Sequence, residues 1–254
     1  MRNFRLLILA CAIAALGACA SIDDDPTEGW SAGQLYDEAR KALDRGYYET
    51  AIDYYETLEA RYPFGRYAQQ AQIEGAYAYY KYNELDSAIA AADRFIKLHP
   101  LHEHADYAWY LKGLANFDRT KDYFDFLIDS NPSENDPTPL IRSFDDFGYL
   151  VRNYPDSRYV QDARQRMVYL RNELAEYELD VGDYYMRRGA WVAAANRAKY
   201  VIEHYQGAES IPTALAMMIT AYRKLGLDDL AHDAARVLRV NFPERASELL
   251  AVRD

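Results

Sequence analysis

The sequence predicts an all-α fold, a solenoid of about five helical repeats, from a stop signal and a small residue that recur together. Each stop signal is an aromatic or histidine residue followed by proline, except in the fourth copy, where glutamine replaces the proline. A small residue lies twelve positions before this proline or glutamine. A constant offset over five copies indicates a repeated structural unit. The stops are Tyr62-Pro63, His99-Pro100, Tyr154-Pro155, Tyr205-Gln206 and Phe242-Pro243, and the small residues are Ala51, Ala88, Ser143, Ala194 and Ala231.

Each unit has the apolar spacing of two helices joined by a turn. Small and bulky apolar residues recur at helical intervals, and the small ones let two helix backbones approach. Glycine or asparagine, which suits a helix C-terminus, lies between the two helices at Gly46, Asn83, Gly189 and Gly226. The pattern is typical of the tetratricopeptide (TPR) repeat, a helix–turn–helix of about 34 residues. Here the first two stops, and again the last two, are 37 residues apart.

The two middle spacings are longer, at 55 and 51 residues, and predict two insertions. Residues 129–139 contain three prolines among polar residues, so we expect a loop between the two helices of the third repeat. Residues 157–188 contain no proline and one glycine, so we expect one helix of about 30 residues and about 45 Å. This helix would link three N-terminal repeats (residues 31–156) to two C-terminal repeats (residues 157–254).

The N-terminal segment predicts export and lipid attachment. Arg2 and Arg5 flank an apolar run that is too short to span a membrane, as in a secretory signal peptide. Leu16-Gly17-Ala18-Cys19 then resembles the bacterial lipobox, so residues 1–18 would be removed and Cys19 would carry the lipid. An ordinary signal peptide with a chance cysteine is the alternative. By resemblance to Gram-negative lipoproteins, Ala20 after the cysteine favours the outer membrane, facing the periplasm, and we expect residues 19–30 to form a flexible tether.

Composition excludes one class of partner. The chain has a net charge of −11, and without the leader's two arginines it has 27 basic and 40 acidic residues, a net charge of −13. Phosphate backbones repel such a protein, so nucleic acid is not expected as a partner. The 24 tyrosines suit a protein with much interface, because the ring packs while its hydroxyl reaches water.

No motif in the sequence indicates an enzyme, and we expect neither a cofactor nor a metal. His99, His102 and His104 form the only histidine cluster, but their spacing matches no zinc signature and they follow a repeat stop. We expect function to lie instead on the concave face, which the first helix of each repeat lines.

Two blocks of sequence are more specific than a general TPR pattern. The stretch Arg61-Tyr62-Pro63-Phe64-Gly65-Arg66-Tyr67-Ala68-Gln69-Gln70-Ala71-Gln72, and Gly189-Ala190-Trp191-Val192-Ala193 with Asn196-Arg197, resemble the BamD family of outer-membrane assembly lipoproteins. The lipobox and the five repeats agree with this resemblance, which covers nearly the whole chain. It implies a scaffold of the β-barrel assembly (BAM) machinery that helps to fold and insert outer-membrane proteins.

The resemblance also implies partners and surfaces. The partners are the barrel protein BamA, other lipoproteins of the BAM complex, and unfolded outer-membrane β-barrel proteins. The BamA-facing residues would be Trp191, Asn196 and Arg197, and the groove for substrate targeting segments would contain Tyr62, Phe64, Tyr67, Gln70 and Tyr77. Trp191 could equally be a core anchor, and about half of the concave-face tyrosines could be packing residues.

Two other functions stay open on the sequence alone. A periplasmic TPR lipoprotein that serves pilus assembly or cell-wall machinery would share the anchor and the repeats. An enzyme on a helical-repeat platform would need a catalytic cluster, for which the mature sequence offers no candidate.

Overall fold

The computed structural model describes residues 25–127 and 136–251, with the side chains of 120–127 left out. Over these residues all regular structure is helical, which confirms the predicted all-α class. The eleven helices of the described ranges are α1 (Ala32–Asp44), α2 (Tyr48–Arg61), α3 (Arg66–Lys81), α4 (Leu85–Leu98), α5 (Ala105–Leu127), α6 (Thr138–Asn153), α7 (Val160–Arg187), α8 (Trp191–His204), α9 (Ile211–Lys224), α10 (Asp228–Asn241) and α11 (Pro243–Ala251).

The helices stack as a repeat solenoid. Each helix from α1 to α10 packs against the next one in the chain, and the first helices of successive repeats also contact each other, α1 with α3, α3 with α5, and α7 with α9. This arrangement places first helices side by side on one face. Helix α11 packs on α9 and α10 and covers the end of the last repeat.

The predicted repeat register is confirmed by burial. The five small residues that precede the stops are 0 to 4 % exposed. Ser143 is the polar member of the set, and its hydroxyl donates to the Gly113 carbonyl at 3.0 Å, so its burial leaves no unpaired donor. Small side chains here let the two helices of a repeat approach closely.

The predicted turns share one geometry. Gly46, Gly189 and Gly226 have φ between +71° and +79°, and Asn83 has φ +65°. In each case the next residue's N–H donates to the carbonyl five positions earlier, as from Glu84 to Tyr79 at 2.9 Å. This is the Schellman closure of a helix, which requires a left-handed residue and explains why glycine or asparagine recurs there.

Of the two predictions about the insertions, the loop needs adjustment and the long helix is confirmed. The predicted loop 129–139 lies partly outside the described residues, and its end is wrong, because Thr138 and Pro139 begin α6. Proline is compatible with a first helical turn, where its missing N–H would have no intrahelical partner. The long helix is confirmed as α7, whose 28 residues span about 42 Å.

Residues 25–30, the last part of the predicted tether, contact the first repeat. The Asp25 carboxylate accepts from the Thr27 N–H at 2.8 Å and also pairs with the Arg61 guanidinium. Arg61 donates to the Thr27 carbonyl as well, and the Tyr62 hydroxyl donates to the Trp30 carbonyl at 2.7 Å. These bonds fix the segment to the end of α2. The predicted signal peptide and Cys19 lie outside the described residues. Within the described ranges, no helix has both the length and the apolar character needed to cross a bilayer.

Candidate functional site

A cavity of about 620 Å³ opens on the face formed by the first helices of the N-terminal repeats. Helices α1, α3 and α5 provide most of its wall, and the segment just before α7 closes one side. Four of the lining residues are tyrosines and three are lysine or arginine. The lining residues are Arg40, Leu43, Asp44, Tyr48, Ile73, Glu74, Tyr77, Lys81, His104, Tyr107, Arg158 and Tyr159.

Glu74 joins the first three helices beneath this cavity. One carboxylate oxygen accepts from the Tyr36 hydroxyl and from the Arg40 guanidinium, each at 2.8 Å, and the other accepts from the Tyr55 hydroxyl at 2.6 Å. Burial, and next the bond to Glu74, raises the pKa of Tyr36 to about 12 and raises the pKa of the more buried Tyr55 further. Both hydroxyls therefore stay protonated as donors, and the charges of Glu74 and Arg40 compensate each other.

The other two cations of the cavity are differently placed. The Lys81 ammonium lies 5.8 Å from the centre of the Tyr48 ring, and the Arg158 guanidinium lies 4.8 Å from the centre of the Tyr159 ring. Among the described residues, neither cation forms a close ion pair, although Arg158 donates to the Tyr159 hydroxyl and the charge of Asp106 contributes to raising the pKa of Arg158. Rings beside cations that form no close ion pair suit a ligand that offers a carboxylate next to an apolar or aromatic group.

The structure brings together only part of the predicted groove. Tyr77 lines the cavity. Tyr67 and Gln70 are half-buried and share a face of α3 with Tyr77, because positions 67, 70, 74, 77 and 81 recur at steps of three and four. Tyr62 and Phe64 do not belong to this face. They lie in the α2–α3 turn, where Phe64 is 90 % exposed.

Sequence reasoning missed several cavity residues. Glu74 and Lys81 continue the helical spacing from Tyr77 and could have been found by extending it. Arg158 and Tyr159 come from beyond the third repeat, and no local pattern links them to α3. They are placed by α5, since the Tyr159 ring stacks on Tyr110 with centres 4.5 Å apart.

The histidine cluster packs against an aromatic ring. His99 and His102 each lie 5.2 Å from the Phe95 ring centre, and His99 Nε2 lies 2.9 Å from the Gln72 side-chain oxygen. Over the described part of the chain, no three histidine, cysteine or acidic side chains are grouped so that they could hold a metal ion.

The predicted C-terminal surface separates into two parts. Asn196 and Arg197 line a shallow groove of about 340 Å³ together with Tyr185 and Tyr200. Trp191 is not among the lining residues and is half-buried at the start of α8, with its ring edge facing Gly189.

Arg197 is already paired within the chain. Its guanidinium donates to the carboxylate of Glu178 at 2.8 Å, and Glu178 is 9 % exposed. This bond raises the pKa of Arg197 above its ordinary value. The positive charge of Arg197 is therefore compensated by a carboxylate of the same chain.

A helical-repeat solenoid whose first-helix face carries aromatic and charged side chains has the architecture of a TPR-type scaffold. A family model described as YfiO, outer membrane lipoprotein, matches residues 29–238. The chain therefore belongs to this family, which is also the BamD family.

The chain is also similar to individual relatives and to solved structures. The chain is 44 % identical over 235 residues to the outer membrane protein assembly factor BamD of Neisseria meningitidis serogroup B, covering 91 % of this chain and 88 % of the relative. It is 37 % identical over 230 residues to BamD of Vibrio cholerae, covering 91 % and 95 %. A thermophilic TPR protein of Thermus thermophilus aligns with a TM-score of 0.39 and 14 % identity, covering 87 % of this chain and all of that one.

Proposed function

We propose that this chain is a lipid-anchored scaffold of the BAM machinery that binds BamA and the targeting segments of unfolded outer-membrane proteins. Relatives that cover nine tenths of the chain are named as assembly factors for outer-membrane proteins. Other lipoproteins of the complex would be further partners. The role is binding, not catalysis.

The observation that carries the substrate half of the proposal is the concave face of the N-terminal repeats. A barrel strand presents alternating apolar side chains, and a C-terminal strand also ends in a free carboxylate. The cavity offers both complements, since Tyr77 and Tyr107 provide rings while Lys81 and Arg158 provide charge. The stripe of Tyr67 and Gln70 extends this surface along α3 for the residues before the terminus.

The partner half of the proposal rests on the last two repeats. Asn196 is exposed beside the groove, and Val192 and Tyr200 are 59 % and 40 % exposed on the same helix. We propose that BamA contacts these residues and Trp191, while Arg197 holds the groove in shape through Glu178. Residues 31–156 and 157–254 would then act as two binding units that α7 connects.

The lipid anchor, the third element of the proposal, rests on Cys19 within its predicted lipobox. We propose that residues 1–18 are removed, that Cys19 carries the lipid, and that the protein sits on the periplasmic face of the outer membrane. Mass spectrometry of the mature protein tests this directly. An unmodified N-terminus at another residue contradicts it.

Co-purification tests the assignment to this machinery. The protein with a C-terminal tag is captured from solubilised outer membranes, and the chains that accompany it are identified. We expect BamA in stoichiometric amount. Recovery of pilus or cell-wall proteins in its place, with no BamA, would reject the assignment and favour a different TPR lipoprotein.

A further inference from the structure

Two large apolar side chains project from equivalent turns at one edge of the solenoid. Phe64 follows the first stop and is 90 % exposed, and Leu101 follows the second and is 98 % exposed. The same position in the three later turns is occupied by Asp156, Gly207 and Glu244. Single exposed apolar residues are common on proteins, but this pair repeats in register and only in the first two repeats.

The two turns lie on the same edge because the helices alternate in direction. Each follows the second helix of a repeat and precedes the first helix of the next. His99 in the second turn lies within hydrogen-bond distance of Gln72 of α3, the helix that begins at the first turn. Phe64 and Leu101 therefore define one edge, which we call the apolar edge.

The start of the described chain is fixed beside this edge. Arg61, three residues before Phe64, pairs with Asp25 and donates to Thr27, which is 5 % exposed. Five residues separate Asp25 from Cys19, so a fully extended chain reaches about 20 Å from Asp25. That is about half the length of α7. A lipid on Cys19 would keep the first turn close to the bilayer.

We infer that the apolar edge docks onto the lipid surface, with Phe64 and Leu101 inserted among the headgroups. This rests on the proposed lipid anchor at Cys19, which places the surface within reach. Phenylalanine and leucine gain from leaving water at the acyl boundary. The net charge of −13 for the mature chain makes a zwitterionic surface the suitable one, because anionic lipid would repel the body. Phe64 thus belongs to the membrane edge and not to the substrate groove.

Docking of this edge would also orient the solenoid. The intra-repeat turn that contains Tyr47 lies at the opposite edge of the first repeat and would point away from the bilayer. Tyr47 is 62 % exposed, so it serves as an internal reference for accessibility.

Hydroxyl-radical footprinting of a chain that starts at Cys19 tests the inference. The described fold begins at Asp25, so removing the leader leaves it whole. Cys19 is then the only cysteine, and a maleimide phospholipid in phosphatidylcholine vesicles couples to it. The coupling supplies the tether whether or not cells lipidate Cys19, so failure of the proposed anchor and failure of this inference are separate results.

We expect oxidation of Phe64 and Leu101 to fall several-fold on coupling to vesicles, relative to the same chain capped with a soluble maleimide. Tyr47 should keep its rate. Equal rates for Phe64 in the two forms, or an equal fall at Tyr47, would overturn the inference.

A double variant separates insertion from mere proximity. In Phe64→Ser with Leu101→Ser, the neighbouring Tyr62 is the reporter at the edge. We expect vesicle coupling to protect Tyr62 in the parent and to leave it at its soluble rate in the variant. Equal protection in both would mean that the tether alone sets the distance and that the apolar side chains do not insert.

Discussion

The N-terminal and C-terminal repeats share the same register, but their cations differ in whether they form an ion pair within the chain. In the N-terminal cavity, Lys81 and Arg158 lie against tyrosine rings and, among the described residues, form no close ion pair with a carboxylate, although a bond to a tyrosine hydroxyl, and then the charge of Asp106, raises the pKa of Arg158. In the C-terminal groove, Arg197 is bound to the buried Glu178. The N-terminal cavity thus keeps two cations outside close ion pairs, whereas the cation of the C-terminal groove is held by a carboxylate of the chain.

The two halves also differ in where their exposed apolar residues lie, since Phe64 and Leu101 of the N-terminal half lie in turns. Helix α10 of the last repeat exposes Leu230, Val237 and Val240, which are 46 %, 44 % and 73 % exposed. They follow helical spacing and form a stripe on its outer face. Recognition by the C-terminal repeats would therefore depend more on apolar contact than on charge, which suits a lasting partner such as BamA.

The largest effect on the free energy of unfolding is expected from a variant that breaks the Arg197–Glu178 pair. Arg197→Glu places a second carboxylate beside Glu178 and should lower the free energy of unfolding by about 3 kcal/mol, because a buried charge loses its partner. Lys81→Glu, the matched change at an uncompensated cation, should change it by less than about 0.5 kcal/mol. Urea denaturation of both variants measures this. Equal losses would mean that Lys81 also stabilises the fold.

The second prediction concerns a feature that the two halves share. Ala88 and Ala231 are 0 % and 4 % exposed at the same register position. Tryptophan at either site should overpack a helix pair and cost about 1–3 kcal/mol. Thermal denaturation followed by circular dichroism is the measurement. A neutral Ala231→Trp beside a costly Ala88→Trp would show that the last repeat is loosely packed.

A third prediction compares the turns. Asn83 is the one residue other than glycine with positive φ in the described ranges. Asn83→Ala should cost about 1 kcal/mol, because alanine is disfavoured in the left-handed region, while Asn83→Gly should cost little or stabilise slightly. Gly189→Ala is the matched change in the C-terminal half and should cost at least as much. If Asn83→Ala is neutral, the turn relaxes and does not set the helix angle.

These same residues show which features of the fold and of the site could be predicted from the sequence. The turns, the small residues and α7 were predictable because each depends on local spacing. Glu74 as a hub, Arg158 in the cavity, and the Arg197–Glu178 pair depend on contacts between residues that are 19 or more positions apart. No local pattern contains that information. The segment after Cys19 looked like a free tether because nothing in Asp25-Pro26-Thr27 shows that Arg61 binds it.

The smallest expected effect is a pH dependence near the junction of the two halves. The Tyr110 hydroxyl donates to Asp162 at 2.8 Å, and burial followed by this bond raises the pKa of Tyr110 to about 12. A pKa raised on folding gives stability that is present below about pH 10, the unfolded value, and is lost as the pH rises toward 12. Tyr110→Phe should flatten the stability profile between these two values. An unchanged slope would show that other tyrosines dominate the alkaline transition.

The central claim is that the two halves bind different partners, and one paired titration tests it most directly. A peptide from the C-terminal strand of a barrel protein and the periplasmic part of BamA are each titrated against two variants. The groove variant is Lys81→Gln with Arg158→Gln, and the C-terminal variant is Val192→Asp with Asn196→Asp. Lys97→Gln with Arg164→Gln removes the same charges from exposed positions outside the cavity and is the matched control. All variants are first checked for unchanged helical content.

We expect the groove variant to bind the peptide about tenfold or more weakly, since two charge-assisted contacts are lost, and to bind BamA as the parent does. A peptide with an amidated C-terminus should lose the same affinity for the parent, and the groove variant should no longer distinguish the two peptides. The C-terminal variant should lose BamA and keep the peptide. If both variants lose both ligands alike while still folded, the two halves form one continuous binding surface and the account is wrong.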